Sequence, residues 1–235
     1  MVPVVGPASC TADGSSLDIN QAEIDTIRDR EEKMIYPGGD LMPQALFSIL
    51  AVCTGNVCRS PAAERLLANQ LRPSVSVSSA GTHALVDHPI SEPMAVLLRQ
   101  AGVDPEPFQG RRLTEQMLEE ADLVLTMTLA QRGLVVEICP SAVRRTFTLR
   151  EFARLMSWVD PSVLPSGTAA DRLRAAIPIA AAGRGRGRRS PDDGDVIDPF
   201  RLSNTVYADS FAQITSAVDS IVYSIVRWSN RSNTA

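Results

Sequence analysis

The residues Phe47-Ser48-Ile49-Leu50-Ala51-Val52 form a short apolar run that ends at Cys53, passes through a glycine-containing loop and reaches Ser60-Pro61. A run of this length suits a strand buried on both faces. Serine is a favoured N-cap and proline suits the first helical position, so Ser60 is expected to cap a helix that continues to about Leu71. Strand, tight loop and helix in this order begin a parallel sheet, because the chain needs a crossover before it can lay the next strand alongside.

The pattern then repeats. Val75 to Ser79 alternates like a second strand. Met94, Leu97, Leu98 and Ala101 keep helical spacing, with Gly102 as a stop. Leu123 to Met127 reads as a third buried strand, with a helix of about eight residues expected after it. Arg145 to Thr148 is a short fourth strand, and Leu149, Phe152, Ala153 and Met156 continue as a helix. Tyr207, Phe211, Ile214, Val218, Ile221 and Ile225 recur at steps of three and four and mark a last helix. The expected fold class is α/β: three layers, with a four-stranded parallel twisted sheet between helices on both faces. Ligands of such sheets sit beyond the carboxyl ends of the strands, so the loop after the first strand is the expected binding site.

Two stretches depart from the alternation. Residues 1–44 are polar, carry Pro and Gly and show only a weak helical patch, which reads as a flexible N-terminal extension, with Met34 and Met42 as alternative starts. Residues 157–195 carry Pro161, Pro165 and Pro178, an alanine-rich helical piece and the run Gly183-Arg184-Gly185-Arg186-Gly187-Arg188-Arg189. This reads as an insertion in a domain spanning 45–230, with the arginine run as a solvated, mobile linker and a dock for acidic or phosphorylated partners as the functional alternative. At 235 residues and 44% hydrophobic content, one domain with appendages is the expectation.

The formal net charge of −4 leaves no footprint for general nucleic-acid binding. The four cysteines, Cys10, Cys53, Cys58 and Cys139, form neither a dense disulfide framework nor paired zinc spacing, and no cofactor is expected. With no leader pattern and no long apolar run, no membrane span is expected and the cytoplasm is the simplest compartment.

The chemistry concentrates in Cys53-Thr54-Gly55-Asn56-Val57-Cys58-Arg59-Ser60-Pro61. A tight loop between strand and helix can turn its backbone N–H groups inward as an anion nest, and the helix N-terminus adds positive field at the same point. Phosphate or another tetrahedral oxyanion fits there. The same field stabilises a negative sulfur and favours Cys53 as a nucleophile. Arg59 can grip two phosphoryl oxygens at once, which lysine cannot do with the same geometry. Gly55 and Asn56 suit left-handed backbone, and the Ser60 hydroxyl can donate to the sulfur. A leaving oxygen also needs a proton, and Asp198, before Pro199 and just ahead of the last helix, is the best placed acid. Asp104-Pro105 and Asp160-Pro161 offer the same dipeptide, so the residues alone do not choose among the three.

The loop sequence resembles the phosphate-binding loop of low-molecular-weight protein-tyrosine phosphatases. Ser78-Ser79-Ala80-Gly81-Thr82, Arg111-Arg112-Leu113-Thr114, Ala121 to Met127 and the late Asp198-Pro199-Phe200 are similar to further segments of that family, over about 46–156 and 194–228. The resemblance implies a protein-tyrosine phosphatase without a metal, working through a phosphocysteine intermediate. Cys53 would be the nucleophile, Arg59 the phosphate grip and Asp198 the general acid and then base. It implies a loop turn held by Asn56 and a reversible disulfide between Cys58 and Cys53. Its substrates would be phosphotyrosine-containing proteins, among them bacterial tyrosine kinases. Phe108 stands near where the family often has a histidine bonded to the asparagine network, and His83 is expected near the pocket mouth.

Protein-arginine phosphatases share the scaffold but tend to carry threonine at the position of Val57. An arsenate reductase would need a cysteine relay, for which Cys139 is a poor candidate. A catalytically inactive phosphotyrosine-binding protein is the non-enzymatic alternative, against which the intact Cys53, Arg59 and Asp198 argue.

Overall fold

The computed structural model describes residues 46–185 and 194–226. The N-terminal extension expected over 1–44 lies outside them, as do Arg186, Arg188 and Arg189. Strands β1 (Phe47–Cys53), β2 (Val75–Gly81), β3 (Leu123–Thr126) and β4 (Thr146–Thr148) form one parallel sheet in the order β2-β1-β3-β4. Helices α1 (Arg59–Leu71), α2 (Glu92–Gln100), α3 (Glu115–Glu120), α4 (Leu129–Ile138), α5 (Leu149–Met156), α6 (Ala169–Ala182) and α7 (Asn204–Val226) flank it. Each strand expected from the sequence is present, with ends shifted by one or two residues.

Strand alternation sorts the core into two halves. Phe47, Ile49, Ala51 and Cys53 of β1 join a cluster with α1, α2, α5, α6 and α7. Leu50 and Val52 join a second cluster with Leu118 of α3, Val135 of α4 and Cys139. Because the side-chain period of a strand is two, these clusters occupy opposite faces of the sheet. The strand order places β1 centrally, so Cys53 sits at the carboxyl edge of the sheet where strand ends and helix starts converge.

The insertion is more built than its composition suggests. Thr168 and Asp171 form a reciprocal capping box at the start of α6. Leu173, Ala176 and Ala180 of that helix are buried in the larger cluster. The expectation of a solvated arginine run fails at its first member. The Arg184 guanidinium stacks 3.9 Å from the Phe147 ring centroid and donates to the carbonyls of Val143 and Thr146. An aromatic face and two carbonyls, one in the turn before β4 and one at its first residue, offer the guanidinium more than water does, and a Gly-Arg composition cannot reveal that. Among the described residues, no helix is long and apolar enough to cross a membrane.

Candidate functional site

The loop after β1 curls around its own first residue. The Asn56 N–H donates to Cys53 Sγ over 3.2 Å, and the Ser60 hydroxyl donates to the same sulfur over 3.0 Å. Asn56 takes φ 53°, the left-handed conformation that asparagine tolerates better than most residues. Its buried side chain then fixes the turn. Nδ2 donates to Ser60 Oγ at 3.0 Å and Ser79 Oγ at 2.8 Å, and Oδ1 accepts the Arg111 N–H at 2.8 Å. Ser79 in turn donates to Glu64 at 2.6 Å. The network is complete without a histidine, and Phe108 instead packs against the core beneath the Arg65 guanidinium.

The orientation of the loop peptides follows from where their carbonyls go. The carbonyls of Cys53, Thr54, Gly55 and Val57 accept the N–H groups of Thr82, His83, Leu85 and Ser91, at 2.7 to 3.0 Å. With the oxygens drawn outward, the amides face the concave side. Among the described residues no protein acceptor takes the N–H of Gly55, Val57 or Cys58, which suits an anion. Two glycines permit this close approach. A Cβ on Gly81 would lie 2.5 Å from the Thr54 carbonyl oxygen, and one on Gly110 would lie 2.4 Å from that of Leu85.

The helix behind the loop departs from expectation. Ser60 is not its N-cap: α1 starts at Arg59, its N-cap is Cys58, and no side chain caps it. Ser60 lies inside the helix, and its hydroxyl donates to Cys53 and accepts from Asn56 rather than from the first-turn amides. Elsewhere Thr114, Thr128, Thr148 and Thr168 each cap a helix with their side chain. The helix aimed at the loop is therefore left with first-turn donors for an anion.

Arg59 is buried at 3% exposure. Its Nη2 lies 2.5 Å from Asp198 Oδ2, and Nη1 reaches the Val196 carbonyl at 3.4 Å. The three Asp-Pro dipeptides share one local habit: Asp104, Asp160 and Asp198 each accept the N–H two residues on, from Glu106, Ser162 and Phe200. Only at Asp198 does the second carboxylate oxygen meet the arginine of the loop. Cys53, Arg59 and Asp198 thus line one cleft of about 150 Å³, with His83, Leu85 and Phe200 at its walls.

Gln131 carried no signal in the sequence. It is buried, accepts the Met127 N–H through Oε1 at 3.0 Å and donates to Thr54 Oγ1 at 3.0 Å, tying the loop to the end of β3. Cys58 lies in the same loop as Cys53 in a different setting. Burial pushes its thiol up to about 11, partly opposed by the Tyr207 hydroxyl 3.6 Å away. Cys53, Cys58 and Cys139 are all free thiols, and Cys139 sits in the core cluster on the other face of the sheet from Cys53.

Residues 48–161 match the family model described as low molecular weight phosphotyrosine protein phosphatase. The chain is 41% identical over 114 residues to the low molecular weight protein-tyrosine-phosphatase Etp of Escherichia coli K12, covering 48% of this chain and 76% of that protein. It is 30% identical over 173 residues to a protein-arginine-phosphatase of Geobacillus stearothermophilus, covering 74% of this chain and 92% of the relative. Among solved structures, the tyrosine phosphatase Wzb from Escherichia coli K30 in complex with sulphate superposes with a TM-score of 0.55 at 25% identity, covering 79% of this chain and 98% of that one.

Proposed function

This chain belongs to the low molecular weight protein-tyrosine-phosphatase family, and from that premise we propose that it hydrolyses phosphotyrosine in proteins with Cys53 as nucleophile, Arg59 as phosphate grip and Asp198 as general acid and base. One observation carries the assignment of roles. The sulfur, a concave set of unengaged amides, the buried arginine and the carboxylate all face one cleft.

The chemistry follows in two balanced steps. A phosphoryl group in the loop would accept the amides of Gly55, Val57 and Cys58 and two guanidinium donors of Arg59, displacing Arg59 from Asp198. Cys53 Sγ attacks phosphorus, the phosphorus–oxygen bond breaks, and protonated Asp198 gives its proton to the departing phenolate oxygen. Water then attacks the phosphocysteine with Asp198 accepting its proton. The sulfur leaves as thiolate onto the Ser60 hydroxyl and the Asn56 N–H, and inorganic phosphate departs.

The choice between phosphotyrosine and phosphoarginine rests on the cleft walls. A guanidinium leaving group is polar and becomes cationic, and favours carboxylates near the mouth. Apart from Asp198, the lining residues include no carboxylate, whereas Val57, Leu85 and Phe200 offer apolar surface to an aryl ring. Arsenate reduction by relay is disfavoured by the placement of Cys139. Cys58 is the proposed redox partner of Cys53, and a bacterial tyrosine kinase is a proposed substrate on family grounds alone.

The test is hydrolysis of para-nitrophenyl phosphate by wild type, Cys53→Ser and Asp198→Ala, with phosphotyrosine and phosphoarginine peptides in parallel. Wild type should be active, Cys53→Ser inactive and Asp198→Ala slower by about 10²- to 10⁴-fold. Phosphoarginine turnover exceeding phosphotyrosine turnover would move the protein to the other branch of the scaffold.

A further inference from the structure

The segment that carries Asp198 has no regular structure of its own, yet it is held at nearly every polar group. The Asp195 carboxylate accepts the N–H of Leu129, first residue of α4, at 2.7 Å, and the Asp195 carbonyl accepts from Arg150 at 2.9 Å. The Val196 N–H donates to the Met127 carbonyl at 2.8 Å. The Ile197 N–H donates to Gln213 Oε1 at 3.0 Å, and the Ile197 carbonyl accepts the Ser210 hydroxyl at 2.9 Å.

The last pair has a particular geometry. The N–H of Ile197 belongs to the peptide before it and its carbonyl to the peptide shared with Asp198. Two side chains one turn apart on α7 therefore fix both peptide planes flanking Ile197. Pro199 restricts the backbone of Asp198 from the other side. Only the side-chain torsions of Asp198 are left to set where its carboxylate points. Ser210 is fully buried, an uncommon place for a serine that merely decorates a helix. Tyr207, one turn earlier on the same face, approaches Cys58 in the phosphate loop. One face of α7 thus reaches both loops.

We propose that Ser210 and Gln213 are positioning residues for proton transfer: by clamping the two peptides around Ile197 they hold the Asp198 carboxyl where a leaving oxygen would stand above Cys53. This rests on the reading of Asp198 as general acid. The clamp re-anchors the chain immediately after the insertion at 157–195.

A clamp that only adds stability and one that aims an acid differ in their dependence on the leaving group. Proton donation matters when the leaving oxide is basic and little when it is not. The experiment measures kcat/KM for wild type, Gln213→Ala, Gln213→Glu, Ser210→Ala and Asp198→Ala across aryl phosphates from 2,4-dinitrophenyl to phenyl. Gln213→Ala and Ser210→Ala should lose about tenfold on phenyl phosphate and less than about twofold on the dinitrophenyl ester, a modest misplacement of a catalytic group. Gln213→Glu keeps an acceptor oxygen for the Ile197 N–H and should restore the wild-type slope. Equal losses across the series, or none, overturn the proposal. If Asp198→Ala itself loses equally on all esters, the acid assignment falls and the clamp with it. If Asp198→Ala shows the steep dependence and the clamp variants do not, the positioning role alone is refuted. Ser210→Ala removes the donor to the Ile197 carbonyl from the buried side of α7, so its thermal unfolding is followed in parallel. The half-buried Gln213 supplies the variant free of that complication.

Discussion

The phosphate loop and the acid loop face each other across one cleft but are built in opposite ways. Within the first, the groups that donate to Cys53 come from Asn56 and Ser60, three and seven residues away, and both residues are fully buried. The second brings Asp198 from 139 residues beyond Arg59 and leaves its side chain 52% exposed. The phosphate loop is pre-organised mainly through its backbone, its carbonyls drawn outward by the N–H groups of Thr82, His83, Leu85 and Ser91 and its amides left inward. The acid loop is held in place by side chains borrowed from other elements. The difference suits the tasks: charge on the phosphoryl group needs fixed dipoles throughout both steps, whereas the acid must exchange protons with a leaving group and then with water.

Arg59 joins the two loops, so its replacement should have the largest effect of those that keep the nucleophile. Arg59→Lys retains charge but loses the two-pronged grip, and should lower kcat/KM by about 10²- to 10³-fold, the scale of one lost transition-state donor. It also removes the partner of Asp198, so the loss should grow as the leaving group becomes more basic. A loss under about tenfold that is flat across the ester series would mean that the arginine neither grips nor couples the loops.

Asn56→Ala separates the loops. It removes the donors to Ser60 and Ser79, leaves the Arg111 N–H without its acceptor and puts alanine at φ 53°. An orphaned buried donor costs about 1–3 kcal/mol. Chemical denaturation should show a loss of about that size, and kcat/KM should fall by a similar factor on good and poor leaving groups alike. A loss that appeared only with poor leaving groups would show that the turn acts through the acid, against the division drawn above.

The two constructions also explain what could be read from the chain. The phosphate loop was legible because its chemistry is contiguous: a strand end, an asparagine at the left-handed turn, an arginine and a helix start, although Gly55, expected to share that backbone conformation, does not. The strands were legible as apolar runs with a period of two or none. Ser60 was misassigned as a cap because the sequence shows a serine before a proline but not the sulfur and amide that claim its hydroxyl. Asp198 could not be told from Asp104 and Asp160 by local chemistry, since all three make the same turn, and the arginine that distinguishes it arrives from the far end of the domain. Gln131, Ser210 and Gln213 are ordinary polar residues on helices, and nothing in their spacing announces that each holds a loop. Arg184 looked solvated because the ring that receives it lies 37 positions earlier in the chain.

The smallest effect belongs to the second cysteine of the phosphate loop, and it is silent at neutral pH. The Cys58 thiol, buried and near the Tyr207 hydroxyl, is raised from 9.0 to about 11. Below about pH 9 the folded and unfolded chains both hold this proton, so Cys58 contributes no pH dependence. Between about 9 and 11 the unfolded chain releases it while the folded chain keeps it, so stability falls with rising pH, by on the order of 2 kcal/mol in total. Cys58→Ala has no such proton. The difference in unfolding free energy between wild type and this variant should therefore shrink by about that amount between pH ~8 and pH ~11. Subtraction removes tyrosines and other groups that titrate in the same range, provided Tyr207 behaves alike in both proteins, which a parallel Tyr207→Phe pair checks. If the difference stays constant across the range, the Cys58 thiol ionises as readily folded as unfolded, and burial does not hold its proton.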